Sequence, residues 1–298
     1  MSFYIVYNGF WNPAAPPESA AALVAAATAR GVELIPTPNT AWIASFDCGG
    51  TAVQGANGPL TQADTVLFWD KDTRLAHAME ETGARLFNRA ESIEWCDDKL
   101  KTHWILAKAG LPQPKTLAAP MTYIRTDTPG CGEFWRQAEE TLGFPLVVKE
   151  CFGSLGGQVY LAPDAATLRR LTAEMGAKPF LVQQFIAETA GNDKRLYVVG
   201  NRVVAAMMRH SDSDFRANIE NGGSGTAYTP TPAEEALALR ASRALHLDFG
   251  GVDLLDSPDG SLICEVNSNA HMAGITACTG VDVAAAIIDY ILETRLLK

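Results

Sequence analysis

Phe144-Pro145-Leu146-Val147-Val148-Lys149-Glu150-Cys151-Phe152-Gly153-Ser154-Leu155-Gly156-Gly157-Gln158-Val159-Tyr160-Leu161 reads as a strand ending on a lysine, a loop of glycine and serine, and a second strand. A hairpin with so Gly-rich a tip is unusual. Small residues let backbone N–H groups approach phosphate oxygens, and Lys149 beside them supplies neutralising charge. No Gly-Lys-Ser or Gly-Lys-Thr occurs in the chain, so the loop is not of the Walker A form. A solvated lysine beside a surface hairpin would show the same letters, so the neighbouring segments have to decide.

Downstream, a helix is predicted over Ala165 to Glu174, and apolar runs recur at Phe180 to Ile186, Arg195 to Val199, Arg202 to Met208, Gly251 to Leu255 and Leu262 to Val266. Val199-Gly200-Asn201-Arg202-Val203 is a two-residue hairpin connection centred on Gly-Asn, which predicts an antiparallel sheet with helices for this half. Side chains alternate along a strand, so Glu265 and Asn267 share a face, and a neighbouring strand can bring Asp253 beside them. A carboxylate within the apolar strand Leu262 to Val266 is costly unless paired or coordinated, and this oxygen donor set suits Mg²⁺. Asp193, Arg195, Arg209, Arg216 and Asn218 add arginines that could clamp a transferring phosphoryl group, although a surface ion-pair network would use the same residues.

Upstream the pattern changes. Phe3 to Tyr7 reads as a buried strand, a Pro-rich turn follows, an Ala-rich helix runs from Ala20 to Arg30 and closes at Gly31, and further strands are predicted at Val32 to Ile35 and Thr65 to Trp69. This β-α-β order predicts a parallel α/β domain over residues 1–95. No GxGxxG follows the first strand, which removes the fingerprint of an NAD-dependent oxidoreductase. Cys96 to Ala109 is predicted as one helix, and Leu111-Pro112-Gln113-Pro114 as an extended entry into a new domain.

Composition narrows the function classes. The 298 residues carry 24 Lys+Arg against 34 Asp+Glu, a net charge of −10, with 47% hydrophobic residues. A surplus of negative charge disfavours nucleic acid as a partner. No apolar run approaches the roughly 20 residues that span a bilayer, and the start of the chain has no signal-peptide pattern, so a cytoplasmic protein is expected. Cys48, Cys96, Cys131, Cys151, Cys264 and Cys278 are too widely spaced for a zinc clip and are expected as free thiols.

The ordered series Asp98-Lys99, Pro112-Gln113-Pro114-Lys115-Thr116, Val147-Val148-Lys149, Gly153 to Gly157, Gln183-Gln184-Phe185-Ile186, Asp193-Lys194-Arg195, Asp214-Phe215-Arg216-Ala217-Asn218, Gly251-Val252-Asp253-Leu254 and Glu265-Val266-Asn267-Ser268 resembles the ATP-grasp ligases, specifically their RimK-like branch. The match covers about residues 95 to 290. Each motif alone is weak, but their order is specific. The resemblance implies an α/β N-terminal domain followed by an α+β ATP-grasp fold whose two lobes clamp the nucleotide: residues 1–95, then 96–180 with the Gly-rich loop, then 181–298 with the metal ligands.

It further implies an ATP- and magnesium-dependent ligase, with manganese as a substitute ion, that activates a carboxylate as an acyl phosphate and joins it to an amine. Lys99 and Lys149 would contact phosphates under a loop of Gly153, Ser154, Gly156 and Gly157. Gln184, Phe185 and Ile186 would line the adenine pocket, and Asp193 would reach toward the ribose. Arg209, Arg216 and Asn218 would serve the phosphoryl and acyl centre, with Ala217 against the nucleotide, and Asp253, Glu265 and Asn267 would hold magnesium. An amino acid, a peptide or a protein C-terminus is the expected substrate, with a homo-oligomer left open. Gln184 departs from the family's acidic residue, and Asn269-Ala270-His271-Met272 from its usual Ser-Pro-Gly beside the acceptor site. The alternative is a nucleotide-binding ATP-grasp module without ligase activity, in a regulatory or scaffolding role.

Overall fold

In the first strand, β1 (Phe3–Tyr7), every residue is buried because both faces are covered. Phe3, Ile5 and Tyr7 pack with the first helix and the C-terminal helix, and Tyr4 and Val6 pack on the opposite side. The computed structural model describes residues 2–10, 16–123, 131–154, 156–219 and 222–296. The Pro-rich turn after β1 falls largely on 11–15, and Leu155 of the Gly-rich loop on another gap, so both lie outside the described residues.

The N-terminal unit continues with α1 (Glu18–Thr28), β2 (Ile35–Pro38), β3 (Ile43–Asp47), β4 (Gly50–Gly55), β5 (Gly58–Pro59), β6 (Thr65–Trp69), α2 (Thr73–Glu81) and β7 (Arg85–Phe87). Its main sheet is parallel, in the order β2-β1-β6-β7. The second strand forms three residues later than the sequence predicts. Pro36 and Pro38 donate no hydrogen bonds, and an edge strand tolerates them. The antiparallel sheet β3-β4-β5 was not anticipated.

The predicted helix from Cys96 is two helices, α3 (Ala90–Asp97) and α4 (Lys99–Lys108). Asp98 is extended between them, and its carboxylate caps α4 by accepting from the Leu100 and Lys101 N–H groups. Lys99 thereby becomes the first residue of a helix, where the positive dipole end favours anions.

The second unit contains β8 (Thr116–Ala118), α5 (Gly132–Leu142), β9 (Leu146–Glu150), β10 (Val159–Ala162), α6 (Ala165–Met175) and β11 (Phe180–Gln184), with sheet order β10-β9-β11-β8. Leu146, Val148, Phe180 and Val182 bury one face against α5 and α6, so Val147 and Lys149 project from the other. Because β11 is hydrogen-bonded within this sheet, the unit runs to Gln184 and not to the expected 180. Its start also differs, since Leu106 and Leu111 pack with Leu196, Val252 and Val266 of the third unit.

The third unit is the antiparallel sheet β14-β13-β12-β15-β16, built from β12 (Asn192–Val199), β13 (Arg202–His210), β14 (Ser224–Ala227), β15 (Phe249–Ser257) and β16 (Gly260–Asn267), with α7 (Pro232–Ala244), α8 (Ala273–Thr279) and α9 (Val283–Leu296). Gly200 takes the positive φ (59°) that the predicted Gly-Asn hairpin requires. Buried Asn88 ties the N-terminal unit here: its amide donates to the Phe249 and Ser268 carbonyls, and its oxygen accepts from the Asp248 and Phe249 N–H groups. No single described helix is long and apolar enough to cross a membrane.

Candidate active site

Between the second and third units lies a cleft of about 850 Å³, counting the part open to solvent. Lys149 enters it from β9. This ammonium is only 6% exposed, and its one hydrogen-bond partner among the described residues is the Cys264 sulfur at 3.8 Å. Burial raises the Cys264 thiol, so the sulfur stays protonated and supplies no counter-charge. Lys99, also buried, donates to the Gly153 carbonyl (2.8 Å) and lies 3.4 Å from Glu265 Oε1. Burial alone would raise the Glu265 carboxyl, but Lys99, with Lys149 and Arg195 further off, holds it below its ordinary value.

The Gly-rich loop closes the cleft from above. Gly153 has φ 138°, and a Cβ there would sit 2.4 Å from Gln158 Oε1, so only glycine fits. That Gln158 oxygen is itself buried without a partner. Arg216 reaches the loop from the third unit, donating to the Gly156 carbonyl and to the Val159 carbonyl (3.2 Å) while its other nitrogens hold the Asp214 carboxylate.

The opposite wall is a buried ion-pair network. Arg195 donates twice to Asp253 (2.7 Å each), and Arg209 donates to Asp193 (2.6 and 2.7 Å) and to Asp253 (2.9 Å). The register explains the grouping, since Arg195 pairs with Asp253 across β12 and β15, and Asp193 with Arg209 across β12 and β13. Burial would raise Asp253, but the two guanidiniums bring it well below the usual carboxylate range. Asp193 moves upward, because burial, with the neighbouring Asp253 charge, outweighs the bonded Arg209 and the more weakly acting Arg195. A side chain at Gly251 would meet Ala270 Cβ at 2.7 Å, so glycine lets the segment after β16 close over Arg195.

Most of the expected residues therefore line one cleft: Lys99, Lys149, Gly153, Ser154, Gly156, Gln184, Phe185, Ile186, Asp193, Arg209, Arg216, Ala217, Asn218, Asp253 and Glu265. Gly157 is absent from that lining, and Asn267 lines a second cavity of about 600 Å³ that adjoins the first through Ser154, Asn218 and Glu265. Three expected roles meet a different geometry. Arg209 is committed to two carboxylates, Asp193 is a counter-ion, and the Gln184 N–H is spent on the Lys115 carbonyl (2.9 Å). The sequence also passes over Lys71, which lines the second cavity just past β6. The signal was available, because ligands meet parallel sheets at the carboxyl ends of their strands.

The residues fit magnesium carried on phosphates. Asp253 and Glu265 face each other in register, and Asn267 Nδ2, an end of an amide whose two ends are assigned by hydrogen bonding, is buried without a partner. Few carboxylates plus phosphate oxygens match the hard, octahedral preference of Mg²⁺. Glu265 is the available carboxylate, and Asp253 could join only by giving up a guanidinium bond. Among the described residues no three His, Cys, Asp or Glu side chains form a ready-made metal site.

Two α+β lobes facing across a cleft with a Gly-rich loop and an uncompensated lysine define the ATP-grasp class. The RimK-like ATP-grasp domain description matches residues 96–291, and the chain belongs to that family. It is 38% identical over 220 residues to a probable alpha-L-glutamate ligase 2 of Hahella chejuensis, covering 73% of this chain and 69% of that one. The crystal structure of a RimK domain protein ATP-grasp from Sphaerobacter thermophilus superposes with a TM-score of 0.72 at 23% identity, over 97% of this chain and 98% of that one. The ATP-grasp ligase PsnB, complexed with a phosphomimetic variant of minimal precursor, Mg and ADP, gives 0.69 at 17% identity, over 99% of each. The protein is a ligase that forms a carbon–nitrogen bond between a carboxylate and an amine.

Proposed function

We propose that the cleft binds ATP with Mg²⁺ and that the enzyme adds an α-amino acid, glutamate first among candidates, to the carboxylate of an amino acid, a peptide or a protein C-terminus. The observation that carries this is Lys149, a buried ammonium facing a cleft with no carboxylate at ion-pair distance among the described residues. An uncompensated buried charge is costly, and a phosphate supplies its counter-charge. The names of the glutamate ligases and the Mg and ADP in PsnB support the nucleotide and amino-acid reading.

In the reaction an oxygen of the acid attacks the γ-phosphorus and ADP leaves. The amine nitrogen then attacks the acyl carbon, phosphate departs with the bonding pair, and the nitrogen sheds a proton to solvent. Lys99 and Lys149 hold phosphate oxygens, while Arg216 in the cleft and Asn218 where the cleft meets the second cavity face charge developing on the transferring group. Glu265 and Asn267 would hold magnesium, which when bound neutralises phosphate charge and polarises the phosphoryl group. Burial pushes the Cys151 thiol up to about 12 and raises Cys96 and Cys264 as well, which disfavours these three as nucleophiles.

The test is a phosphate-release screen over amino acids and short peptides with mass spectrometry of the products. The expected result is ATP turnover that requires an amine and yields a product heavier by one amino-acid residue. ATP binding with no amine-dependent turnover would leave a nucleotide-binding module in its place.

A further inference from the structure

The wall of the second cavity contains two atoms whose burial is uncompensated. Asn269 donates its amide nitrogen to the Asp70 carbonyl (2.8 Å), which identifies the other end of the amide as oxygen, and that Oδ1 is buried without a partner. Asn267 Nδ2 is buried and unpartnered in the same wall. A buried polar atom left unsatisfied costs about 1–3 kcal/mol; the Asn267 amide is taken by the proposed magnesium, so the Asn269 oxygen is the one that marks a place a further polar ligand completes.

The same cavity carries one accessible ion pair. Lys71 Nζ lies 2.6 Å from Asp97 Oδ1, and the lysine side chain is 43% exposed. The other strong cation in the lining, Arg195, is fixed bidentately on Asp253 and cannot serve a substrate without stranding it. Lys71 follows β6, which lies beside β1 where the strand order reverses from β1-β2 to β1-β6. In open parallel sheets that crevice is where ligands bind. The bond from Asn269 to the Asp70 carbonyl clips this turn to the end of β16, so Lys71 and the orphaned amides belong to one wall.

We propose that Lys71 is the specificity-determining residue for the amine substrate and reads a carboxylate of an α-amino acid, with Asp97 as its positioning partner. An ammonium has three N–H donors, so one on Asp97 leaves two for the substrate. The Asn269 oxygen accepts from the amino acid, and its amine is directed to the junction at Ser154 and Asn218, where the acyl group is presented. This rests on the ligase reading above and deepens it by naming what recognises the amine.

The experiment measures calorimetric binding of L-glutamate, L-glutamine and L-isoglutamine to the full chain with ADP and Mg²⁺, alongside phosphate release with each. The wild-type protein should prefer glutamate over one of the two amides by roughly 10- to 100-fold, the range for a charge-assisted contact. Preference over isoglutamine assigns the α-carboxylate to Lys71, and preference over glutamine assigns the side-chain carboxylate. Lys71→Met should abolish that preference and Lys71→Arg should keep most of it, with the KM for ATP moving less than about twofold, as for loss of a half-exposed ion pair. Full discrimination in Lys71→Met overturns the proposal, and so does failure of all three compounds to bind the wild-type protein. Amine-dependent turnover with some other compound in that last case leaves the ligase reading standing.

Discussion

Two sets of cations border the cleft and the cavity that adjoins it, and they are held by different partners. Arg195 and Arg209 are saturated by Asp253 and Asp193 in a buried network of two positive and two negative groups. Lys99 and Arg216 each divide their bonds between a carbonyl of the Gly-rich loop, at Gly153 and Gly156, and one half-buried carboxylate, Glu265 and Asp214, while Lys149 has only a neutral thiol among the described residues. A carboxylate cannot be displaced from a buried guanidinium without stranding a charge, whereas a carbonyl can be exchanged for a phosphate oxygen. The first set is framework, and the second is the exchangeable surface on which the proposed function places the nucleotide.

The largest expected effect tests the framework side. Arg209→Met leaves Asp193 and Asp253 short of counter-charge and should cost about 3–5 kcal/mol of stability, read as a fall in Tm, while Arg216→Met should cost within about 1 kcal/mol because its partners can return to solvent. Equal losses would erase the distinction between the two sets.

Acid stability sharpens the other side. His103 is buried behind Lys149, contacting Gln113 through Nδ1 and the Gln183 amide through Nε2. Burial, then the Lys149 charge, lowers its pKa from 6.5 to about 4. The unfolded chain takes up the proton first, so the stabilisation is complete above about 6.5, is lost as pH falls toward 4, and amounts to about 3 kcal/mol. Urea unfolding across that range should show a steeper pH dependence in the wild-type protein than in His103→Gln. Parallel curves would show that His103 titrates normally in the fold.

Arg216→Lys should preserve ATP affinity and slow single turnover on the order of 100-fold, the cost of removing a preorganised donor, because lysine cannot reproduce the planar fork. A near-normal rate would remove Arg216 from the catalytic residues and leave it as a loop anchor. The smallest effect is a response of His103 to nucleotide. ADP phosphates on Lys149 should raise the His103 pKa by under about one unit, since burial, the larger cause, persists. NMR titration with and without ADP and Mg²⁺ measures it, and a downward shift would place the phosphates elsewhere.

The features visible in the sequence were those carried by local pattern. Lys149 at the end of its strand, the Gly-Asn hairpin at Gly200 and the alternation of Glu265 with Asn267 each follow from a few consecutive residues. What escaped depends on long-range register. That Arg195 falls on Asp253 and Arg209 on Asp193 is decided by strand pairing between residues 58 and 16 positions apart, and so the sequence left a phosphoryl clamp and an ion-pair network both open for these arginines. The break at Asp98 was hidden because Asp in a helical stretch gives no signal until its carboxylate is seen to cap the next turn. Lys71 was passed over because it belongs to the α/β unit, whose pattern announces a fold and no ligand.

The bonds from Lys99 and Arg216 to the Gly-rich loop bear on the order in which substrates arrive. The loop presents its Gly153 and Gly156 carbonyls to these cations, and its Ser154 belongs to both cavities. If phosphates take over these cations as proposed, the loop is released from both carbonyl bonds, and the wall it shares with the proposed amino-acid cavity is set only afterwards. Steady-state kinetics should therefore be sequential and ordered, with ATP binding first and ADP leaving last.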